Sequence, residues 1–69
     1  MAKLDRYNKF DVKIGDIIDF GTDAYVVTET FEGVRRNTLS FTLRNVKTKA
    51  PLYCYPSHHC YGAEWIPQD

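Results

Sequence analysis

Four side chains that can bind a metal or act as nucleophiles lie close together near the end of the chain: Cys54, His58, His59 and Cys60. Thiolate and imidazole are ligands that zinc prefers, so Cys54, His58 and Cys60 supply three donors for a zinc-stabilised module, which is one alternative function. The spacing departs from the paired knuckles of ordinary structural zinc sites. We therefore expect no bound metal or cofactor, with Cys54 a buried strand residue and both histidines on a solvated loop.

A cysteine beside a histidine also suggests a nucleophile and its base, here Cys60 with His58 or His59. A catalytic site needs in addition an orienting group, an oxyanion hole and a substrate cleft, for which 69 residues leave little room. The sequence contains no glycine-rich phosphate loop, no paired-carboxylate motif and no HExxH string. We predict that the protein is not an enzyme.

Aromatic side chains are concentrated in the same part of the chain, where Tyr53, Tyr55, Tyr61 and Trp65 lie within thirteen residues. In one strand register Tyr53 and Tyr55 both face solvent, and in the opposite register both enter the core. Exposed aromatic residues are common anchors in protein interfaces. The leading prediction is a small interaction module that binds another protein through these four residues.

Basic side chains are concentrated between residues 35 and 49, which carry no acidic residue. They are Arg35, Arg36, Arg44, Lys47 and Lys49. The whole chain has nine basic and nine acidic side chains, and a net charge of zero argues against a general polyanion binder. A local stripe along one strand would still follow a phosphate backbone, so nucleic-acid binding through this stretch is the other alternative. The plainer interpretation is a solvated hairpin.

Short β-strands are the elements that must position these residues. Phe10, Val12 and Ile14 alternate with charged residues, which predicts a half-buried strand beginning near Lys9. The clearest alternation places Leu39, Phe41 and Leu43 on one face of a later strand. We predict strands within residues 9–20, with an interruption at Gly15-Asp16, and at 24–31, 38–44, 52–55 and 64–66.

Four or five short strands with tight turns predict an all-β fold, either a small barrel or a strongly bent antiparallel sheet. We assign residues 1–8 to an N-terminal arm, 9–66 to the barrel and 67–69 to a tail. Within this barrel, Glu29 falls on the buried face of its strand. It therefore lies near the strand end, finds a partner or marks a bulge.

The run from Val12 to Phe20, with Gly15-Asp16 before its apolar residues, is followed by a turn and by the β-prone Ala24–Val27. This pattern resembles the opening hairpin of SH3-like small barrels such as Tudor, KOW and chromo-type modules. The resemblance covers residues 10–55 and implies the barrel fold. Since this superfold hosts peptide binders, nucleic-acid binders and structural modules, it does not select a function.

The expected location of the protein depends on whether the sequence contains a membrane-spanning or leader segment. It has no run of about 20 apolar residues that would cross a membrane and no long apolar segment at its start. We expect a cytoplasmic protein, of a size typical of accessory proteins of phages or mobile elements that act on a host partner. It would be a monomer, or a homodimer that pairs through a strand edge at residues 52–55.

Overall fold

A computed structural model describes residues 2–30 and 40–68, and this part of the chain is all-β apart from two 3₁₀ helices, Asn8–Asp11 and Ser57–Cys60. The strands are β1 (Ala2–Lys3), β2 (Ile17–Asp19), β3 (Ala24–Glu29), β4 (Ser40–Asn45), β5 (Pro51–Pro56) and β6 (Glu64–Ile66). Among the described residues, no helix has the length and apolar character needed to span a membrane.

The six strands form one antiparallel sheet in the order β1-β6-β2-β3-β4-β5. Strands β2 to β5 form a meander, and β6 returns to pair with β2, where Ile18 lies opposite Trp65. The sheet is open, with β1 and β5 at its edges. The all-β antiparallel prediction is confirmed, the number of strands is six rather than the predicted four or five, and a closed barrel is not confirmed.

The additional strand comes from the segment that the sequence assigns to an N-terminal arm. Ala2 and Lys3 of this segment pair with β6. Leu4 is fully buried, and its backbone exchanges hydrogen bonds of 2.8 Å with Gly62 and Ala63. The first residues of the described chain therefore belong to the sheet and to its core.

The strand predicted to begin near Lys9 is wrong, because residues 8–11 form a 3₁₀ helix. Oδ1 of Asp5 accepts the backbone N–H groups of Tyr7 and Asn8, both at 2.8 Å, and so satisfies donors that a helix start leaves unpaired. Positions three apart lie on the same side of a 3₁₀ helix. Lys9 and Val12 are accordingly buried, whereas Phe10 is exposed.

Strand β4 follows its predicted alternation, with Phe41 and Leu43 buried and Arg44 exposed. Strands β2 and β3 add one buried residue each, Ile18 and Val27, and strands β5 and β6 contribute half-buried side chains. The core consists of Leu4, Val12, Ile18, Val27, Phe41, Leu43, Cys60 and Ala63, with Phe20, Tyr25, Leu52, Tyr55 and Trp65 packed against it. Of the three alternatives for Glu29, the structure agrees with two: Glu29 is the last residue of β3, and the register shifts between Val27 and Glu29.

Strand β5 contains a second bulge that neither predicted register includes. In its ladder with β4, Tyr53 and Cys54 together lie opposite a single residue. Cys54 has a φ of 52°, in the left-handed region. Since one extra residue reverses the alternation of a strand, both Leu52 and Tyr55 pack against the core, while Tyr53 and Cys54 are exposed.

The turn before β2 is anchored by a buried carboxylate. Gly15 has a φ of 100°, which few other residues adopt, and Asp16 follows it with 2% of its surface exposed. The Asp16 carboxylate accepts hydrogen bonds from the backbone N–H of Lys13 (2.9 Å), the indole N–H of Trp65 (3.0 Å) and the backbone N–H of Gln68 (2.8 Å). The Gly-Asp pair thus has a structural role that joins the turn to β6.

Candidate functional site

The four aromatic residues predicted to form one surface occupy separate places in the fold. Tyr53 lies on the bulge of β5 with 75% of its surface exposed. Tyr55 packs against the core, and the indole of Trp65 is bonded to Asp16. Tyr61 follows the second 3₁₀ helix and contacts Lys9. Within the described residues, no ring contact joins any two of the four.

Tyr55 belongs instead to a row of rings in edge-to-face contact. Ring centroids are separated by 5.7 Å between Tyr25 and Phe20, 6.4 Å between Phe20 and Tyr55, and 5.5 Å between Tyr55 and His59. His58 continues the row at 4.3 Å from His59. Because the first three rings pack against the core, the row mainly covers one part of the core, and only its histidines are exposed.

The two cysteines are unpaired thiols in opposite environments. Cys54 is exposed, so the prediction of a buried strand residue is wrong, because the bulge turns its side chain outwards. Cys60 is fully buried, and burial raises the pKa of its thiol to about 11. A thiol protonated at neutral pH is a poor nucleophile and a poor zinc ligand. Residues 2–30 and 40–68 contain no group of three or more His, Cys, Asp or Glu side chains able to hold a metal ion.

The predicted basic stretch is only partly described, since Arg35 and Arg36 lie outside the described residues. Lys47 lines a shallow cavity of about 220 Å³ between the β2–β3 and β4–β5 turns. Two carboxylates, Asp19 and Asp23, line the same cavity. Arg44, Lys47 and Lys49 are all exposed, and of these three cations Lys47 shares its cavity with acidic side chains.

A different set of aromatic side chains is exposed around the first 3₁₀ helix. Tyr7, Phe10 and Tyr61 have 73%, 62% and 38% of their surfaces exposed. Two cations, Arg6 and Lys9, lie among them. These five residues are called the cation–aromatic surface below.

Lys9 lies at the centre of the cation–aromatic surface and is only 7% exposed. Its Nζ donates a hydrogen bond of 2.9 Å to the hydroxyl oxygen of Tyr61 and lies 5.5 Å from the centroid of that ring. The same Nζ lies 5.3 Å from the Phe10 centroid. Cζ of Arg6 lies 4.8 Å from the centroid of Tyr7, and Nη2 of Arg6 donates to the Tyr7 hydroxyl at 2.6 Å. Each cation is therefore in contact with a ring, an arrangement that stabilises both.

Hydrogen bonds hold this surface in place from both sides. Nδ2 of Asn8 donates to the carbonyl of Lys3 at 2.9 Å, and the backbone N–H of Lys9 donates to the carbonyl of Asp5 at 3.2 Å. On the other side, Gly62 next to Tyr61 donates to the carbonyl of Leu4 at 2.8 Å. The exposed rings are therefore carried by an ordered part of the fold.

Only Tyr61 of the five residues was identified from the sequence. The alternation predicts Phe10 on the buried face of a strand that the structure does not contain, and the sequence assigns Tyr7 to the N-terminal arm. The signal that predicts a helical turn here is Asp5, an N-cap type of residue, three positions before Asn8, whose side chain also bonds back to the Asp5 N–H at 2.9 Å.

Comparison with known proteins finds no matching family model, curated protein or solved structure. The proposals below therefore depend on the geometry of this chain.

Proposed function

We propose that this chain is a small protein-binding module whose partner contacts the cation–aromatic surface. The observation that carries the proposal is the exposure of Tyr7, Phe10 and Tyr61 on two segments that hydrogen bonds join. Exposed apolar patches on small proteins often mark interaction sites, and aromatic residues and Arg are enriched in protein interfaces. Such residues also contribute most of the binding energy when a partner removes them from water.

The charge of this segment supports a protein rather than a nucleic acid as the partner. Asp5 and Asp11 lie in the same segment as Arg6 and Lys9, so acidic and basic side chains are equal in number there. Of the two flanking cations, Lys3 lies opposite Glu64 in the ladder between β1 and β6, and Lys13 is exposed. Surfaces that bind nucleic acids usually carry a basic excess.

We also propose that the fold of this chain is that of the SH3-like small barrels. The meander β2 to β5, the pairing of β6 with β2, and the 3₁₀ helix between β5 and β6 support membership of the SH3-like small barrels. An experimental structure tests this part. Backbone contacts between the edge strands β1 and β5 would close a barrel, and well-ordered edges without such contacts would establish an open sheet.

The binding proposal is tested by capture from a lysate with matched variants, with and without nuclease. The double variant Tyr7→Ala/Phe10→Ala removes two exposed rings of the cation–aromatic surface. Tyr53→Ala is the control, because Tyr53 is about as exposed as Tyr7 but lies on β5. We expect the wild type and Tyr53→Ala to capture the same protein after nuclease treatment, and the double variant to lose it.

Two results would contradict the proposal. Loss of the captured protein with Tyr53→Ala, but not with the double variant, would move the interaction to β5. Loss of all captured proteins after nuclease treatment would reveal a nucleic-acid bridge. Circular dichroism of each variant establishes that it is folded, since changes at exposed positions usually alter stability by no more than about 0.5 kcal/mol.

A further inference from the structure

We propose that the partner contributes a carboxylate, from an Asp or Glu side chain, that pairs with the Lys9 ammonium beside the rings of Phe10 and Tyr61. This inference rests on the proposed function and specifies the chemistry of the partner.

The Lys9 ammonium has hydrogen-bonding capacity that the described part of the chain does not use. An ammonium carries three donors, and one of them is bonded to the hydroxyl of Tyr61. The remaining contacts described for this group are with the rings of Phe10 and Tyr61. Within residues 2–30 and 40–68, Lys9 forms no ion pair with a carboxylate. A largely buried cation without a counter-charge is unfavourable, and a carboxylate supplied by a partner would correct this.

The carboxylates on neighbouring turns already serve other donors. Oδ1 of Asp5 accepts the backbone N–H groups of Tyr7 and Asn8. Both oxygens of Asp16 are occupied by donors from the β2 turn, β6 and the chain end. Neither group can turn towards Lys9 without breaking hydrogen bonds that hold the fold. Asp11, two positions from Lys9 in the same 3₁₀ helix, is exposed and forms no ion pair with it.

The site favours a carboxylate over a phosphate. A carboxylate carries one negative charge, which the single ammonium balances. A phosphate of a nucleic acid is one of a series of charges and needs several cations. The two rings also provide apolar contact for the neighbouring residues of a peptide.

The test uses NMR of the full ¹⁵N-labelled chain with tetraglutamate peptide as the probe and tetraglutamine as its neutral match. We expect tetraglutamate to shift the resonances of Lys9, Phe10 and Tyr61 at lower concentrations than those of Lys47 and Lys49, and tetraglutamine to shift none of them. Lys9→Met should weaken the tetraglutamate titration, followed at Phe10 and Tyr61, by about tenfold or more. The matched control Lys13→Met, at an exposed lysine, should leave it unchanged.

Three results would overturn the inference. These are equal shifts at all lysines, an unchanged titration in Lys9→Met, and tighter binding of inorganic phosphate or of an oligothymidine at the same resonances. Lys9→Gln repeats the test if Lys9→Met does not fold. Capture of the partner distinguishes the failure of the two proposals. If the partner is lost with Tyr7→Ala/Phe10→Ala but kept with Lys9→Met, the protein-binding proposal stands and the proposed pairing of a partner carboxylate with Lys9 is wrong.

Discussion

The indole N–H of Trp65 donates a hydrogen bond of 3.0 Å to Oδ2 of Asp16, across 49 positions of the chain. The contact joins the turn before β2 to β6. It is one of three N–H donors to the same buried carboxylate. Trp65 consequently has a structural role in the sheet.

Substitution of Asp16 is expected to destabilise the fold severely. Asp16→Ala removes an acceptor shared by three buried or half-buried N–H groups, and hydrogen bonds to charged groups are worth about 1.5–3 kcal/mol each. We expect a loss of at least about 3 kcal/mol in the free energy of unfolding, measured with urea. Trp65→Phe keeps most of the ring, removes one donor and should cost less. A smaller loss for Asp16→Ala than for Trp65→Phe would contradict this role.

The bulge in β5 predicts opposite effects for two tyrosines that are two positions apart. Tyr55→Ala removes a ring that packs against the core and contacts Phe20, so it should cost about 2–4 kcal/mol. Tyr53→Ala removes an exposed ring and should change stability by no more than about 0.5 kcal/mol. Urea unfolding of both variants measures the difference. Equal costs would indicate a regular strand without the bulge.

Lys9→Met is expected to leave the free energy of unfolding unchanged or to raise it. Replacement of a buried charge by an apolar side chain of similar size is often neutral or stabilising. The melting temperature of Lys9→Met, compared with that of Lys13→Met, measures the effect. A marked decrease confined to Lys9→Met would mean that the ammonium is needed for folding. A gain in stability combined with weaker tetraglutamate binding would identify Lys9 as a residue kept for binding.

The two thiols should differ sharply in reactivity. Cys54 is exposed and Cys60 is fully buried. A disulfide reagent such as DTNB at pH 8 is therefore expected to modify one thiol per native chain rapidly and both thiols in urea. Cys54→Ser should abolish the fast reaction of the native chain. Fast reaction of two thiols in the native wild type would show that the region around Cys60 opens readily.

Stability should fall as pH rises between about 9 and about 11. The pKa of the Cys60 thiol is raised by burial from 9.0 to about 11, so between these values the native state holds a proton that the unfolded chain loses. The contribution is complete below pH 9 and is lost as pH approaches 11. A shift of this size corresponds to about 2–3 kcal/mol. Cys60→Ala should show a smaller slope than the wild type, and identical slopes would assign the effect to other groups.

The sequence predicts those parts of the fold in which the alternation of apolar and polar residues alone decides which side chains are buried. In β4 the alternation around Phe41 and Leu43 agrees with burial, because the extra residues of both ladders lie on the neighbouring strands and not on β4 itself. In β5 the same rule fails, since a bulge depends on how β4 and β5 fit together, and one extra residue exchanges the faces of everything after it. The interior position of Tyr55 follows from that fit and not from its neighbours in sequence.

The sequence pattern does not predict the cation–aromatic surface, for a related reason. Phe10, Val12 and Ile14 alternate with charged residues, which is compatible with a strand. Because a buried lysine is unusual, the same pattern predicts that Lys9 faces solvent. The competing signal is Asp5, whose carboxylate accepts the backbone N–H groups of Tyr7 and Asn8 in the turn that leads into the 3₁₀ helix. In this helix Lys9 and Val12 lie on the core side. Of the predicted aromatic site only Tyr61 belongs to this surface.

Strand β5 lies at one edge of the sheet, where a strand of another chain could pair with it and lead to aggregation. It begins and ends with proline and is distorted at Cys54. Proline has no N–H to offer, and a distorted edge does not match a straight strand, so another chain cannot readily extend the sheet at this side. This border of the sheet is therefore a poor template for the growth of fibrils.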